Sequence, residues 1–183
     1  MSDDLPEPDR IEGAPHPRHT ARLIGQAQAE TTFLQAFNGT RLHHGWLITG
    51  PRGVGKATLA WRIARFLLAT PDDDGGMFAP PPPDSLDIPD SDPVAHRLAA
   101  LTESRMFLLR RAPNDKHDRL QTVISVDEVR KMKSFFALSA ADGGRRVAII
   151  DSIDEMNVAA ANALLKLLEE PPARVTILMI SHQ

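Results

Sequence analysis

Residues 50–57 have the composition and spacing of a phosphate-binding loop. They read Gly-Pro-Arg-Gly-Val-Gly-Lys-Ala, which fits the pattern G-x-x-x-x-G-K. In such a loop the glycines let backbone amides turn toward phosphate oxygens, the next helix adds its dipole, and the lysine reaches the outer phosphates. The candidate phosphate-binding residues are Gly50, Pro51, Arg52, Gly53, Val54, Gly55, Lys56, Ala57 and Thr58.

The position after the lysine is unfavourable for metal chemistry. A hydrolysing loop has Ser or Thr there, because the hydroxyl oxygen coordinates the Mg²⁺ that bridges the phosphates. This chain has Ala57, which offers no oxygen, and Thr58 follows one residue later. One step along a helix rotates a side chain by about 100°, so we expect Thr58 to point away from the metal position.

A second candidate position is Asp151, the last residue of the apolar run 146–151. P-loop enzymes present their second Mg²⁺-positioning carboxylate at a strand end of this kind. In ATPases of this class a glutamate follows directly and orients the attacking water, whereas this chain has Ser152. Asp154 and Glu155 lie several ångströms beyond the required place, so we interpret them as residues of a solvated loop.

Alternating helices and apolar strands must position these residues, and this alternation predicts a parallel α/β sheet covered on both faces. The phosphate loop falls between a predicted strand and a predicted helix, as phosphate binding requires. The predicted strands are 45–49, 106–109, 147–150 and 175–180, and the predicted helices are 27–37, 56–69, 93–101, 125–138 and 157–170.

The composition bounds the chain to one globular domain. Its 183 residues are 42% hydrophobic, which suffices for one core. We expect residues 21–183 to form this domain, and residues 1–20, rich in Pro, Asp and Glu, to be a flexible arm. Residues 71–93 hold seven of the fifteen prolines and seven aspartates, so we interpret them as a surface insertion with little tendency to order.

Composition also excludes several kinds of site. The net charge of −3 does not indicate a nucleic-acid binder, so any DNA contact would be local. The lack of cysteine excludes disulfides and Cys-based zinc modules and fits a reducing cytoplasm. No apolar run approaches the roughly 18 residues of a membrane span, and the histidines lack metal-ligand spacing. We therefore predict a cytoplasmic protein with no membrane partner and no metal ligands.

Residues 151–172 resemble a known family. They contain Asn-Ala-Leu-Leu-Lys at 162–166 and Leu-Glu-Glu-Pro-Pro at 168–172. This combination is highly characteristic of the bacterial clamp-loader subunits of DNA polymerase III. The resemblance covers about residues 18–183, apart from the Pro/Asp-rich insertion. Further similar stretches are 23–26, 43–50 and 126–130.

The resemblance implies an AAA+ fold, a P-loop parallel sheet flanked by helices, with the chain stopping after the sensor-1 strand. It implies that Ile24, Gly25 and Gln26 lie beside the adenine, and that Ser181 and His182 belong to the sensor-1 region. It also implies partners, namely the other clamp-loader subunits (motor and delta subunits). The sliding clamp and primer–template DNA would be contacted indirectly.

Within this family, delta-prime members typically have a degenerate site, so Ala57 and Ser152 favour an assembly subunit that does not hydrolyse ATP. No catalytic residue is predicted. Whether ATP or ADP still binds is left open, because Lys56 and the glycines remain. Two features depart from the family. The insertion occupies the place of a four-cysteine zinc module, and the arginine finger and collar domain are expected beyond residue 183.

Two other functions stay open. An active ATPase of the same superfamily, such as the motor subunit of a clamp or helicase loader, would need Asp154 or Glu155 to replace the missing glutamate. A DNA-binding module would use local basic clusters, and its affinity would fall steeply with salt. The basic residues concerned are Arg105, Arg110, Arg111, Lys116 and Arg119, and then Arg130, Lys131 and Lys133.

Overall fold

The computed structural model describes residues 7–20, 22–39, 42–71, 81–114, 116–138 and 144–183. Within these ranges the strands form one parallel sheet of four strands in the order β1-β4-β3-β2. The strands are β1 (Gly45–Ile48), β2 (Met106–Leu109), β3 (Arg146–Asp151) and β4 (Val175–Ile180). The helices are α1 (Ala27–Asn38), α2 (Lys56–Ala69), α3 (Pro93–Ala99), α4 (Val126–Leu138) and α5 (Val158–Glu169).

The predicted α/β class is confirmed, and the predicted elements differ from the observed ones by at most two residues at either end. The helix α3 ends at Ala99, two residues earlier than expected, because Ala100 caps it and Leu101 has a left-handed φ of 56°. The start of α5 is set by Asn157, whose side chain accepts a hydrogen bond from the amide of Ala160 at 2.8 Å. None of the helices in the described ranges has the length and apolar character needed to span a membrane.

The core lies on both faces of the sheet, because side chains alternate along the buried central strands. On one face, Val147 and Ile149 of β3 pack in the cluster built around α2. On the other face, Ala148 and Ile150 pack with α4 and α5. Since all four strands run parallel, their carboxyl ends share one edge of the sheet, and this edge carries the candidate site.

Residues 7–20 form a packed segment, where the composition had favoured a flexible arm. His16 is buried and its ring meets that of Trp61 edge-on, with 5.7 Å between ring centroids. Pro17–His19 form a short 3₁₀ turn, and Arg65 of α2 donates a hydrogen bond to the carbonyl of Arg18 at 2.9 Å. Residues 1–6 lie outside the described residues.

The end of the Pro/Asp-rich insertion is also packed. Leu86 is buried in the α2 cluster, and Asp87 forms an ion pair with Arg62 at 2.8 Å. Asp92 caps α3 by accepting a hydrogen bond from the amide of Val94 at 2.7 Å. Asp87 therefore acts as an ion-pair partner and Asp92 as a helix cap. Residues 72–80 of the insertion lie outside the described residues.

Candidate nucleotide-binding site

A cavity of about 370 Å³ lies at the carboxyl edge of the sheet. Its volume falls within the range of about 300–1,000 Å³ that is typical of ligand pockets. Three parts of the chain line it, namely the packed segment 7–20, the phosphate loop with the start of α2, and the residues that follow β3 and β4. The lining residues are Pro8, Asp9, Arg10, Ile11, Ala14, Pro15, Pro17, Thr20, Arg52, Gly53, Gly55, Lys56, Ala57, Thr58, Asp151, Glu155 and His182.

The phosphate loop has the backbone that its glycines predict. Gly50, Gly53 and Gly55 have φ values of 137°, 86° and 94°, a region that residues with a Cβ atom rarely adopt. Gly55 directly precedes α2, and a Cβ atom there would lie 2.7 Å from the Leu23 side chain. Because Gly55 has no side chain, it leaves the first amides of α2 open to an anion.

Lys56 is folded back into its own loop. Its Nζ donates hydrogen bonds to the carbonyl oxygens of Gly50 at 2.5 Å and Pro51 at 2.6 Å. The residue is 7% exposed, and this burial lowers the pKa of Lys56, although the charges of Asp151 and Asp154 oppose the shift. A bound phosphate would let Lys56 exchange its two carbonyl acceptors for charged oxygens, which are stronger acceptors.

Ala57, which lines the cavity, stands at the position where a hydrolysing loop has its metal-coordinating Ser or Thr. Thr58 lines the same cavity, although one residue of helical rotation was expected to turn it away from the metal position. The described residues contain no group of three or more His, Cys, Asp or Glu that could hold a metal ion. The glycines and the lysine of the loop are the residues that would hold phosphate groups, whereas Ala57 would supply no hydroxyl oxygen to an accompanying Mg²⁺.

Asp151 ends β3 at the floor of the cavity. Burial and the negative charges of Asp9 and Glu155 raise the pKa of Asp151 to about 7, while Lys56 and Arg52 oppose the shift. A carboxyl group with this pKa is partly protonated near neutral pH when no cation is bound, and a bound cation would lower the pKa.

Ser152, which stands where an ATPase of this class has its glutamate, does not line the cavity. It is 2% exposed, and its hydroxyl has no hydrogen-bond partner among the described residues. A side chain at this position therefore points into the protein rather than toward a nucleotide.

Asp154 and Glu155 have defined partners, whereas a solvated loop was expected. Asp154 accepts hydrogen bonds from the Ser181 hydroxyl at 2.8 Å and from the His182 amide at 2.6 Å. Burial raises the pKa of Asp154, but these two bonds outweigh it and hold the pKa below its ordinary value. Glu155 pairs with Arg111 at 2.9 Å and lines the cavity. Asp154 thus joins the turn after β3 to the end of β4.

The residues implied by the family resemblance are only partly brought together. His182 lines the cavity, and Ser181 lies behind it as the donor to Asp154. Ile24 is 82% exposed and lies outside the cavity lining. Gln26 supports the loop from outside, because its side-chain amide donates to the carbonyl of Val54 at 2.9 Å.

The contribution of the segment 7–20 to the cavity was not predicted from the sequence. Its key contact joins Asp9 to Arg110, which are 101 residues apart, and no local pattern links the two. The only available signal was the presence of two acids, at positions 7 and 9, among the prolines.

The basic clusters are largely neutralised by carboxylates of the same chain. Arg105 pairs with Glu103 at 2.9 Å, and Arg110 pairs with Asp9. On α4, Arg130 pairs with Asp127 and Lys131 pairs with Glu128, at 2.7 and 2.6 Å. These contacts reduce the local positive potential that DNA binding would need.

Comparison with known proteins matches residues 25–183 to the family described as DNA polymerase III, delta subunit. DNA polymerase III subunit delta' of Pseudomonas aeruginosa is 36% identical over 140 residues, which cover 76% of this chain and 38% of that protein. DNA polymerase III subunit gamma of Buchnera aphidicola is 28% identical over 163 residues, which cover 89% of this chain and 40% of that protein.

A solved structure, that of a DNA polymerase III gamma subunit-related protein from Thermotoga maritima, is 20% identical, with a TM-score of 0.44. The match covers 81% of this chain and 39% of that one, and it is too weak to support an argument. This chain spans 38% and 40% of the length of the two curated relatives. Since the family model matches residues 25–183, the chain belongs to the family of DNA polymerase III delta subunits.

Proposed function

We propose that this chain is the nucleotide-binding part of a delta-prime-type subunit of the DNA polymerase III clamp loader, and that it binds ATP or ADP without hydrolysing it. The family match and the 36% identity to a delta' subunit support this assignment. The loop glycines, Lys56 and a cavity of about 370 Å³ support retained nucleotide binding.

The proposed absence of hydrolysis rests on the residues at positions 57 and 152. Ala57 supplies no oxygen to a metal ion, and Ser152 is buried away from the cavity and carries no carboxylate. Hydrolysis in P-loop ATPases needs both a held Mg²⁺ and a group that orients the attacking water. With both missing, bound nucleotide would serve structure rather than chemistry.

In the intact cytoplasmic assembly, the subunit would act as a rigid element against which ATP-driven motor subunits move. Its partners would be the motor and delta subunits, with the sliding clamp and primer–template DNA reached through the assembly. Bound nucleotide would then stabilise one conformation of the phosphate loop and of the surface that the neighbouring subunits contact.

The test is a titration of the purified full chain with a fluorescent ATP analogue, with and without Mg²⁺, beside a turnover assay. We expect binding that weakens at least tenfold in Lys56→Ala, because a charge-assisted phosphate contact is lost. Lys131→Ala is the matched control, since Lys131 is an exposed lysine on α4 whose partner is Glu128. Binding that is absent in the unsubstituted chain, or Mg²⁺-dependent phosphate release, would contradict the proposal.

One observation favours a second candidate, an active ATPase. Glu155 lines the same cavity as Asp151, so a carboxylate other than the missing glutamate faces the site. This candidate requires measurable phosphate release that Glu155→Gln abolishes and that Asp127→Asn, at an exposed carboxylate on α4, leaves unchanged. Glu155 is already paired with Arg111 at 2.9 Å, so we do not expect it to act as a catalytic base. We therefore expect no phosphate release from the unsubstituted chain or from either variant.

A further inference from the structure

Polar contacts attach the segment 7–20 to the rest of the protein near both of its ends, in addition to the packing of His16 against Trp61. At its carboxyl-terminal end, Arg18 Nε donates to the carbonyl of Ala99 at 3.1 Å, and Arg65 donates to the carbonyl of Arg18 at 2.9 Å. At its amino-terminal end, Asp9 and Glu7 both contact Arg110, which follows β2. Between these two attachments the segment passes along the cavity as one of its walls.

The attachment at Arg110 is centred on a buried carboxylate. The Asp9 side chain is 1% exposed and that of Arg110 is 22% exposed. Asp9 also accepts a hydrogen bond from His16 Nε2 at 2.9 Å. The tautomer follows from the other ring nitrogen, because Nδ1 accepts from the amide of Arg18 at 3.0 Å and so the proton is on Nε2.

Asp9 remains ionised in this setting. Burial raises the pKa of Asp9, but the hydrogen bond from His16 and the charge of Arg110 outweigh it, so the pKa lies below its ordinary value. An ionised carboxylate buried without its cationic partner is strongly destabilised. If Arg110 lost its charge, Asp9 would favour leaving its buried position for water, and the attached chain would move with it.

We propose that Arg110 is a positioning residue for the nucleotide site, because by holding Asp9 it keeps residues 8–15 in place as the closing wall of the cavity and so slows nucleotide release. This inference rests on the proposed nucleotide binding. The far end of the segment is held independently by Ala99 and Arg65. Loss of the Asp9–Arg110 pair therefore removes the contact between the wall and the residue after β2, while His16 stays packed against Trp61 and Glu7 stays paired with Arg18. The wall is loosened in this way while α2 and the phosphate loop remain folded.

The experiment measures nucleotide association and dissociation rates by stopped flow, with a fluorescent ATP analogue and the full chain. The variants are Arg110→Gln, Arg110→Lys, Asp9→Asn and the double variant Asp9→Asn with Arg110→Gln. Arg130→Gln is the matched control, because Arg130 pairs with an exposed aspartate on α4, away from the cavity. Thermal unfolding of each variant, and hydrogen exchange of residues 7–20, report folding and wall opening separately.

We expect Arg110→Gln and Asp9→Asn each to speed dissociation roughly tenfold with little change in association, since affinity changes at one site are mostly changes in dissociation rate. The double variant should be no faster than the single ones, because the two residues act as one pair. Arg110→Lys should restore much of the slow dissociation, and residues 7–15 should exchange faster only where dissociation is faster.

Unchanged dissociation in Arg110→Gln, with measurable binding by the unsubstituted chain, would overturn this inference and leave the proposed function standing. The inference would also be overturned if the two single effects added up in the double variant, because independent residues do not form a pair. If the unsubstituted chain bound no nucleotide, the proposed function would fail and this inference with it.

Discussion

The carboxylate of Asp154 and the hydroxyl of Ser181 are 2.8 Å apart and form the bridge between the turn after β3 and the end of β4. The same carboxylate accepts the amide of His182 at 2.6 Å, so both of its oxygens have donors. A residue that sequence reasoning considered as a replacement catalytic base is thus occupied in holding two strand ends together.

Asp154→Ala should therefore lower stability. Hydrogen bonds to a charged group contribute about 1.5–3 kcal/mol in favourable settings, and we expect a loss of about 1–3 kcal/mol here. The measurement is urea unfolding followed by circular dichroism. Asp127→Ala removes an exposed ion pair on α4 and should cost less than about 1 kcal/mol. Equal losses in the two variants would contradict the bridging role of Asp154.

Gly55→Ala tests the backbone of the phosphate loop. The backbone at this position has a φ of 94°, and the added Cβ atom would lie 2.7 Å from the Leu23 side chain. Left-handed backbone costs a non-glycine residue roughly 1–2 kcal/mol before any clash is counted. Gly13→Ala is the matched control, because Gly13 has a φ of 79° with nothing within 4 Å of the added atom. We expect the larger loss of unfolding free energy at Gly55, and a Leu23→Ala substitution should remove the excess.

The pH dependence of stability should carry the signature of Asp151. The pKa of Asp151 is about 7 in the folded chain and near its ordinary 3.8 in the unfolded chain, so the folded state binds more protons between these values. Stability should therefore fall as pH rises from 3.8 toward about 7, and this loss should be complete above that pH. Unfolding titrations at several pH values should show the loss in the unsubstituted chain, and Asp151→Asn should remove that component. A pH profile that is the same in both proteins would contradict the assignment.

Ala57→Thr should return a metal-coordinating oxygen to the loop. We expect the variant to bind the ATP analogue more tightly with Mg²⁺ than without, whereas the unsubstituted chain should show a smaller Mg²⁺ effect. Phosphate release should remain absent, since Ser152 still supplies no carboxylate. Thr58→Val is the control for the neighbouring hydroxyl that lines the same cavity. If Thr58→Val abolished a Mg²⁺ effect present in the unsubstituted chain, Thr58 would be the metal ligand instead.

Local patterns predicted the scaffold of the site well. The helix α2 was predicted with its observed ends, because the glycine-rich loop precedes it and its apolar residues recur at helical spacing, at Leu59, Ile63, Phe66 and Leu67. The strand β3 was predicted from an uninterrupted apolar run, and its burial on both faces of the sheet explains that run. Signals of this kind depend on neighbours a few residues apart, and a single sequence displays them directly.

Contacts between distant residues could not be predicted in the same way. The segment 7–20 packs because His16 meets Trp61 and Asp9 meets Arg110, and neither pairing leaves a local trace. The burial of Ser152 also depends on which way the chain turns after β3, and the residue types at 151 and 152 do not determine this. Composition counts polar residues without their partners, so it does not indicate which contacts a segment such as 7–20 makes.

The inward orientation of Ser152 has a consequence for how such a subunit can change over time. A mutation to glutamate at this position would place a carboxylate in a location that is 2% exposed and where the present hydroxyl already has no partner. Such a variant would be destabilised before it could gain any water-orienting group. A glutamate introduced at position 152 alone would therefore cost stability without completing a hydrolytic site, because Ala57 would still supply no oxygen to a metal ion.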